Sequence, residues 1–281
     1  MNVSKAVLVT GCSSGIGRAT AGHLVDVGWR VYATARNVEA IAPLEERGCV
    51  LLPLDVTDED SMISAVYKVE RQEGAVGVLV NNAGYSQSGA VEAVPMDKVR
   101  RQFETNVFGL VRMCQLVLPG MRRQGFGRIV NVSSIGGKLT FPGGGYYHAS
   151  KYAVEAMSDA LRFEVEGFGV RVSVVEPGLI RTGFADAAVG SMNGSEDGPY
   201  AGFDAAVAKA TTENYERGPL LRLGGGPETV AEKVEEVISA RNPRIRYPVT
   251  PSAHLFLWLR YLLPDRAWDA LVRSSYPQPG R

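Results

Sequence analysis

Tyr147 and Lys151 stand four positions apart in YHASK, and Ser134 lies thirteen positions upstream of the tyrosine. Residues four apart share a helix face, so this spacing sets an ammonium beside a phenol. A free phenol ionises near pH 10, and each unit by which that value falls represents about 1.4 kcal/mol of preference for the phenolate. An opposite charge within a few ångström shifts a pKa by roughly 1 to 3 units. The expectation is therefore that Lys151 lowers Tyr147 towards the range where a proton donor and acceptor works best, while Ser134 hydrogen-bonds the oxygen that exchanges the proton. The pair alone recurs by chance on many helices, and its context gives it weight. RIVNVSS, residues 128–134, reads as a buried strand that ends in a polar turn at Ser134, and open α/β sheets bind ligands beyond the carboxyl ends of their strands.

The chemistry of a second segment points to a nucleotide. Residues 6–10 form an apolar strand, TGCSSGIG at 10–17 a glycine-rich turn, and residues 18–27 a helical pattern. This strand, turn and helix is the context a dinucleotide fingerprint requires. Gly11, Gly15 and Gly17 let the backbone approach a pyrophosphate, and the free N–H groups of the helix start face the anion. The second strand ends in VYATARN, with no acidic residue at 30–38 and with Arg36. An acid there would bind the ribose hydroxyls and repel a 2′-phosphate, whereas an arginine accommodates that phosphate, so NADP(H) is expected over NAD(H).

These residues resemble the short-chain dehydrogenase/reductase family in its ordinary-length branch. TGCSSGIG fits the family's TGxxxGxG pattern, NNAG at 81–84 fits its structural turn, and PGLIRT at 177–182 fits the segment bordering the nicotinamide. Asn106, Ser134, Tyr147 and Lys151 match its catalytic tetrad in order and spacing, and the resemblance runs from about residue 5 to 181. It implies that Tyr147 exchanges the substrate proton, Lys151 tunes Tyr147 and bonds the nicotinamide ribose, Ser134 orients the reacting oxygen, and Asn106 holds a relay water. It further implies a cofactor site of Gly11, Ser13, Ser14, Gly15, Ile16, Gly17, Arg36, Asp55, Val56, Asn82, Ala83, Gly84, Tyr147, Lys151, Pro177, Gly178, Ile180 and Thr182. Asp55 would meet the adenine amino group, Thr182 and the Ile180 backbone the carboxamide, and Asn81 and Gly84 would shape the cleft. A finer likeness, around VYATARN and in the long tail, is to steroid and retinol dehydrogenase-like members.

The expected fold is α/β, a single doubly wound Rossmann-type parallel sheet of about seven strands with helices on both faces. Strand candidates are 6–10, 31–35, 50–53, 76–81, 128–132 and 171–175, alternating with helical stretches such as 59–71 and 97–121, and such alternation argues for a parallel sheet. One domain of 281 residues is expected, with 183–226 as a substrate lid around a helix at 203–215 and 251–281 as a C-terminal extension. Leu255, Phe256, Trp258, Leu259, Tyr261, Leu262, Leu263, Trp268 and Leu271 make that extension apolar. It admits three readings: packing on lid or core, a subunit or partner interface, and contact with a membrane surface.

Thirty basic and thirty acidic residues leave no net charge, so nucleic acid is not an expected partner. Cys12, Cys49 and Cys114 lack metal-ligand or disulfide spacing, which predicts no metal and a reducing compartment. The apolar run 254–263 is too short to span a bilayer, which takes about 20 residues, and no leader pattern precedes the first strand, so a cytoplasmic location is expected. His148 is expected on a helix surface or at the site rim rather than as a catalyst. Tyr85, Ile135, Leu139, Phe141, Pro142 and Phe184 surround the site, and no recognisable motif places an arginine to bind a substrate carboxylate, which favours a hydrophobic ketone or secondary alcohol. The rival reading is a nucleotide-binding redox sensor or interaction protein with little turnover, against which the complete tetrad argues. Relatives that catalyse epimerisation or dehydration show TGxxGxxG spacing instead. A homodimer or homotetramer, assembled through helices 97–121 and 147–168, is the expected assembly.

Overall fold

The computed structural model describes residues 3–192 and 198–279. Seven strands, β1 (Val7–Val9), β2 (Val31–Ala35), β3 (Val50–Pro53), β4 (Val78–Asn81), β5 (Gly127–Val132), β6 (Val170–Pro177) and β7 (Arg246–Val249), form one parallel sheet in the order β3-β2-β1-β4-β5-β6-β7. The register pairs Val7 with both Val31 and Val78, and Val174 with Arg246. The helices are α1 (Gly15–Asp26), α2 (Ala42–Glu46), α3 (Glu59–Glu73), α4 (Met96–Phe103), α5 (Gly109–Gln124), α6 (Gly145–Val165), α7 (Phe184–Gly190), α8 (Ala201–Thr212), α9 (Pro227–Ser239), α10 (Pro251–Leu262) and α11 (Asp265–Arg273).

Strands buried on both faces must be apolar throughout, and β1 shows the consequence. Val7 and Val9 point to a core with Ala21 and Leu24 of α1 and Val230, Val234 and Val237 of α9. Leu8 points the other way, to Met62 and Val66 of α3, Met113 and Val117 of α5 and Val154 of α6. Local signals set the helix ends. Asp58 caps α3 by accepting from Ser61 N at 3.0 Å, a contact worth about 1 kcal/mol, and Gly74 ends it at φ 85°.

The six strands expected from the sequence are present with small shifts of their ends; β7 is the seventh. The helix expected over 97–121 is interrupted by a π-helical turn, Glu104–Phe108, between α4 and α5. The helix expected at 203–215 is α8 followed by a second π turn, Glu213–Arg217, and RLGGG follows within and after a 3-10 turn, Pro219–Leu223. Positions 193–197 of the expected lid, and 280–281 of the extension, lie outside the described residues. Among the described residues no helix is long and apolar enough to cross a membrane.

Candidate active site

Strand order reverses at β1, and the carboxyl ends of the strands around that switch point open onto a cleft of about 530 Å³. Each strand delivers its residue there by ending: Gly11 follows β1, Arg36 β2, Asp55 β3, Asn82 β4, Ser134 β5, and Pro177 closes β6. Of the residues singled out in the sequence, Gly11, Ser13, Ser14, Gly15, Ile16, Arg36, Asp55, Val56, Asn82, Ala83, Gly84, Ser134, Tyr147, Lys151, Pro177, Gly178, Ile180 and Thr182 line it.

Gly17 and Asn106 do not line the cleft, and each has a structural reason. A Cβ on Gly17 would overlap the Gly11 carbonyl oxygen and the Asn82 amide, so this glycine lets α1 close on the loop. Asn106, in the π turn, is buried. Its Nδ2 donates to the Tyr85 carbonyl (2.9 Å) and to Ser150 Oγ (3.0 Å), and its Oδ1 accepts from Tyr85 N (3.1 Å). Asn81 also turns away from the cleft, donating to Asn131 Oδ1 at 3.0 Å between β4 and β5. Thr10, missed as a site residue, clasps the two motifs: its hydroxyl accepts from Asn82 N and Ala83 N, both at 3.0 Å, while Asn82 Nδ2 donates to the Thr10 and Gly11 carbonyls.

The nucleotide side fits a dinucleotide. Gly11 has φ 74°, and a Cβ there would lie 2.9 Å from Ala83 Cα, so the loop backbone forms the floor of the cleft. The twelve-residue α1 starts at that floor with no side-chain cap on its first N–H groups, a setting that favours an anion. Arg36 is exposed and has no salt bridge among the described residues, whereas Arg18 is tied to the Ala40 carbonyl at 2.7 Å. Asp55 Oδ1 accepts from Thr57 N (2.9 Å) and Thr57 Oγ1 (2.8 Å), which fixes its carboxylate at the rim.

The reacting groups differ from expectation in their electrostatics. Burial pushes the Tyr147 phenol up to about 12, with Ser134 hydrogen bonding acting the other way. Lys151 does not bring it down: its Nζ donates to the Val132 carbonyl at 2.8 Å and lies 5.8 Å from the centre of the Tyr147 ring. Lys151 itself is lowered to about 8 by burial, opposed by Glu155. At neutral pH the phenol therefore keeps its proton and most of the ammonium keeps its charge. Ser134 Oγ accepts from Gly136 N at 3.0 Å, which aims the hydroxyl. His148 is buried rather than on the helix surface, its Nδ1 3.1 Å from the Gly136 carbonyl oxygen and its Nε2 accepting from Phe141 N at 3.3 Å, and burial lowers it to about 4.

Aromatic rings close the remaining side. Phe184 of α7 lies 5.4 Å from the Tyr147 ring and 5.9 Å from Tyr215. Phe141, after Ser134's segment, packs on Phe256 (5.8 Å) and Trp268 (5.7 Å) of α10 and α11, so one face of the C-terminal extension covers this side while Leu255, Trp258, Tyr261 and Leu262 stay exposed. The cleft is also less uniformly apolar than the sequence reading had it: Lys98, Arg101 and Thr105, spaced along one face of α4 and into the π turn, line it beside Tyr85. No motif marks them, because an α4 face of cations reads in sequence as a solvated surface.

Residues 5–192 match the family model for short chain dehydrogenases. The chain is 38% identical to a 3-ketodihydrosphingosine reductase of Bacteroides thetaiotaomicron, over 96% of this chain and 97% of that protein. It is 36% identical to an NADPH-dependent 3-dehydrocapnine reductase of Ornithobacterium rhinotracheale, over 94% of each. Among solved structures, a short-chain dehydrogenase from Streptomyces avermitilis superposes with a TM-score of 0.78 at 34% identity, covering 98% of this chain and 99% of that one. A serine dehydrogenase complexed with NADP+ gives 0.75 at 28%, covering 88% and 94%. With its motifs in place along one parallel sheet and a family match over more than half its length, the chain belongs to the short-chain dehydrogenase/reductase family of oxidoreductases.

Proposed function

We propose that the protein is an NADP(H)-dependent reductase of a hydrophobic ketone, interconverting it with the secondary alcohol. One observation carries the reading: the phenol of Tyr147 shares a cleft with Ser134, Lys151 and the glycine floor. The nicotinamide, when bound, supplies the hydride for the carbonyl carbon. Ser134 orients the carbonyl oxygen by hydrogen bonding, and Tyr147 gives that oxygen its proton, so ketone, hydride and proton balance to alcohol. Lys151, which keeps two donors beyond its bond to the Val132 carbonyl, hydrogen-bonds the nicotinamide ribose, and Asn106, through Tyr85 and Ser150, keeps α6 and the NNAG turn in register for a relay of the replacement proton. A protonated donor suits reduction, the direction that a mostly reduced NADP pool also favours, and the two relatives above are named as reductases of 3-keto and 3-dehydro compounds.

The preference for NADP(H) over NAD(H) rests on Arg36 and on the absence of an acid at the end of β2; the relative named as NADPH-dependent and the neighbour bound to NADP+ agree with it. Residues 183–226 act as the substrate lid, with Phe184 and Tyr215 presenting the apolar wall. Assembly as a homodimer or homotetramer is supported by large apolar side chains exposed on α6 and beside α5: Tyr152, Met157, Phe163 and Phe108.

The test is the initial rate of NADPH and NADH oxidation on a panel of hydrophobic ketones, for the wild type and Tyr147→Phe. The expected result is a rate favouring NADPH that falls at least about a thousandfold in the variant, with cofactor affinity unchanged within about twofold. NADPH binding without turnover on any ketone would move the reading to the redox sensor.

A further inference from the structure

Outside the lining of the cleft, three carboxylates and two cations are packed together. Glu155 lies one helical turn beyond Lys151 on α6, and its side chain is 4% exposed. Its Oε2 takes Lys138 Nζ at 3.1 Å and Arg246 Nε at 3.0 Å. Arg246, on β7, also reaches Asp159 Oδ2 at 2.6 Å and lies 3.5 Å from Glu176 Oε1. Arg162, 3.7 Å from Asp159 Oδ1, borders the group. Glu176 is the residue before Pro177, and its side chain is 3% exposed.

The knot joins the three segments that build the reacting end of the cleft. Lys138 follows the short 3-10 turn, Ile135–Gly137, that Ser134 begins. That turn is wedged against α6 so closely that a Cβ on Gly137 would lie 2.8 Å from Glu155 Cγ and 3.0 Å from the Lys151 carbonyl oxygen. Glu176 leads into the Pro177–Thr182 segment, and α6 itself carries Tyr147 and Lys151.

Burying such charges is costly, and an ion cluster adds little to stability that an apolar cluster of the same volume would not. Among the described residues Glu155 Oε1 and Glu176 Oε1 have no hydrogen-bond partner, so the cluster is not satisfied as a purely structural one would be. Burial, and next the neighbouring Glu155 charge, raise Glu176 to about 7.

We propose that Glu155 is a positioning residue for the reaction: its carboxylate, one turn from Lys151 on α6, acts through Lys138, Arg246 and Glu176 to set the Ser134 turn and the Pro177–Thr182 segment against that helix. This rests on the ketone-reductase reading above. Removing the Glu155 charge leaves burial alone to act on Lys151, so the ammonium is lost at lower pH. The charged groups that bear on Glu155 from each packed element are Lys138, Glu176, Arg246, and Asp159, Arg162 and Lys151 of its own helix.

The experiment compares wild type, Glu155→Gln and Arg246→Lys by pH profiles of kcat/KM for ketone reduction and, without turnover, of NADPH affinity read by its fluorescence. In Glu155→Gln the alkaline limb of both profiles is expected to move down by about one pH unit, with kcat about tenfold lower and the KM for NADPH at pH 7 within about twofold. In Arg246→Lys, which keeps the Glu155 charge but loses the fork between carboxylates, kcat is expected to fall with the limb unmoved. Should Glu155→Gln not fold, Arg246→Lys decides: unchanged kcat overturns the proposal. A folded Glu155→Gln with the wild-type limb also overturns it. If wild-type turnover does not depend on Tyr147, the reductase reading fails separately, and the NADPH-affinity profile still decides whether Glu155 holds the Lys151 charge.

Discussion

A methyl group added at Gly17 would overlap the Gly11 carbonyl and the Asn82 amide, whereas at Gly183, Gly190 or Gly202 it would meet nothing within 4 Å. The nucleotide side of the cleft is backbone packed against backbone, clasped by the Thr10 hydroxyl and the Asn82 amide. The lid side is held by side chains from distant segments. Phe184 meets Tyr147 and Tyr215, and Ser191, at the end of α7, accepts at its hydroxyl from Ser88 N at 2.8 Å and at its carbonyl from Gln87 Nε2 at 2.6 Å. The first arrangement leaves no freedom in residue type; the second lets substrate contacts change while the scaffold stays.

The largest effect should therefore come from Gly17→Ala. Overpacking of a closed site costs about 1 to 3 kcal/mol or more, and here it also displaces the loop, so loss of NADPH binding together with a lowered unfolding midpoint is expected. A variant that binds NADPH normally would break the contrast. Next, Arg36→Asp should lower the ratio of NADPH to NADH catalytic efficiency by about 10- to 100-fold, equivalent to about 1.4 to 2.8 kcal/mol; an unchanged ratio removes Arg36 from the phosphate site. Phe184→Ala should raise the KM for apolar ketones about fivefold, within the 0.5 to 1.5 kcal/mol of an aromatic pair. Its KM for NADPH should stay put, and a change in both would show that lid and nucleotide side are not independent. The smallest effect is a gain: Gly202→Ala in α8 should stabilise the fold by about 0.5 to 1 kcal/mol in chemical denaturation, and a loss instead would place a neighbour over α8.

The same contrast explains what could be read in the sequence. Gly11, Gly15, Asn82, Ser134 and Tyr147 sit in short motifs whose residue types follow from backbone geometry, and they come together as the spacing implies. The second side is written in pairs separated by tens of residues, such as Phe141 with Trp268, and no local pattern announces them. β7 was missed because Arg246–Val249 is short, half polar and contains Pro248, features tolerated only at a sheet edge. The direction of the Tyr147 shift was misread for a different reason. Spacing places a lysine near a phenol, but it does not reveal that the ring is half-buried or that the ammonium donates to the Val132 carbonyl.

The wide turn at Glu104–Phe108 has a bearing on lineage and redesign. Such turns accommodate one more residue than a regular helix of the same length would hold, and each residue advances a helix by about 100°. Here that addition lets one continuous rod address two clients: α4 offers Gln102 to the Tyr85 carbonyl, while α5 offers Met113 and Val117 to the sheet. Deleting a single residue from the turn would regularise the rod and put one of those clients out of phase, so the length of this segment, more than its composition, is what a graft or chimera of this enzyme must preserve.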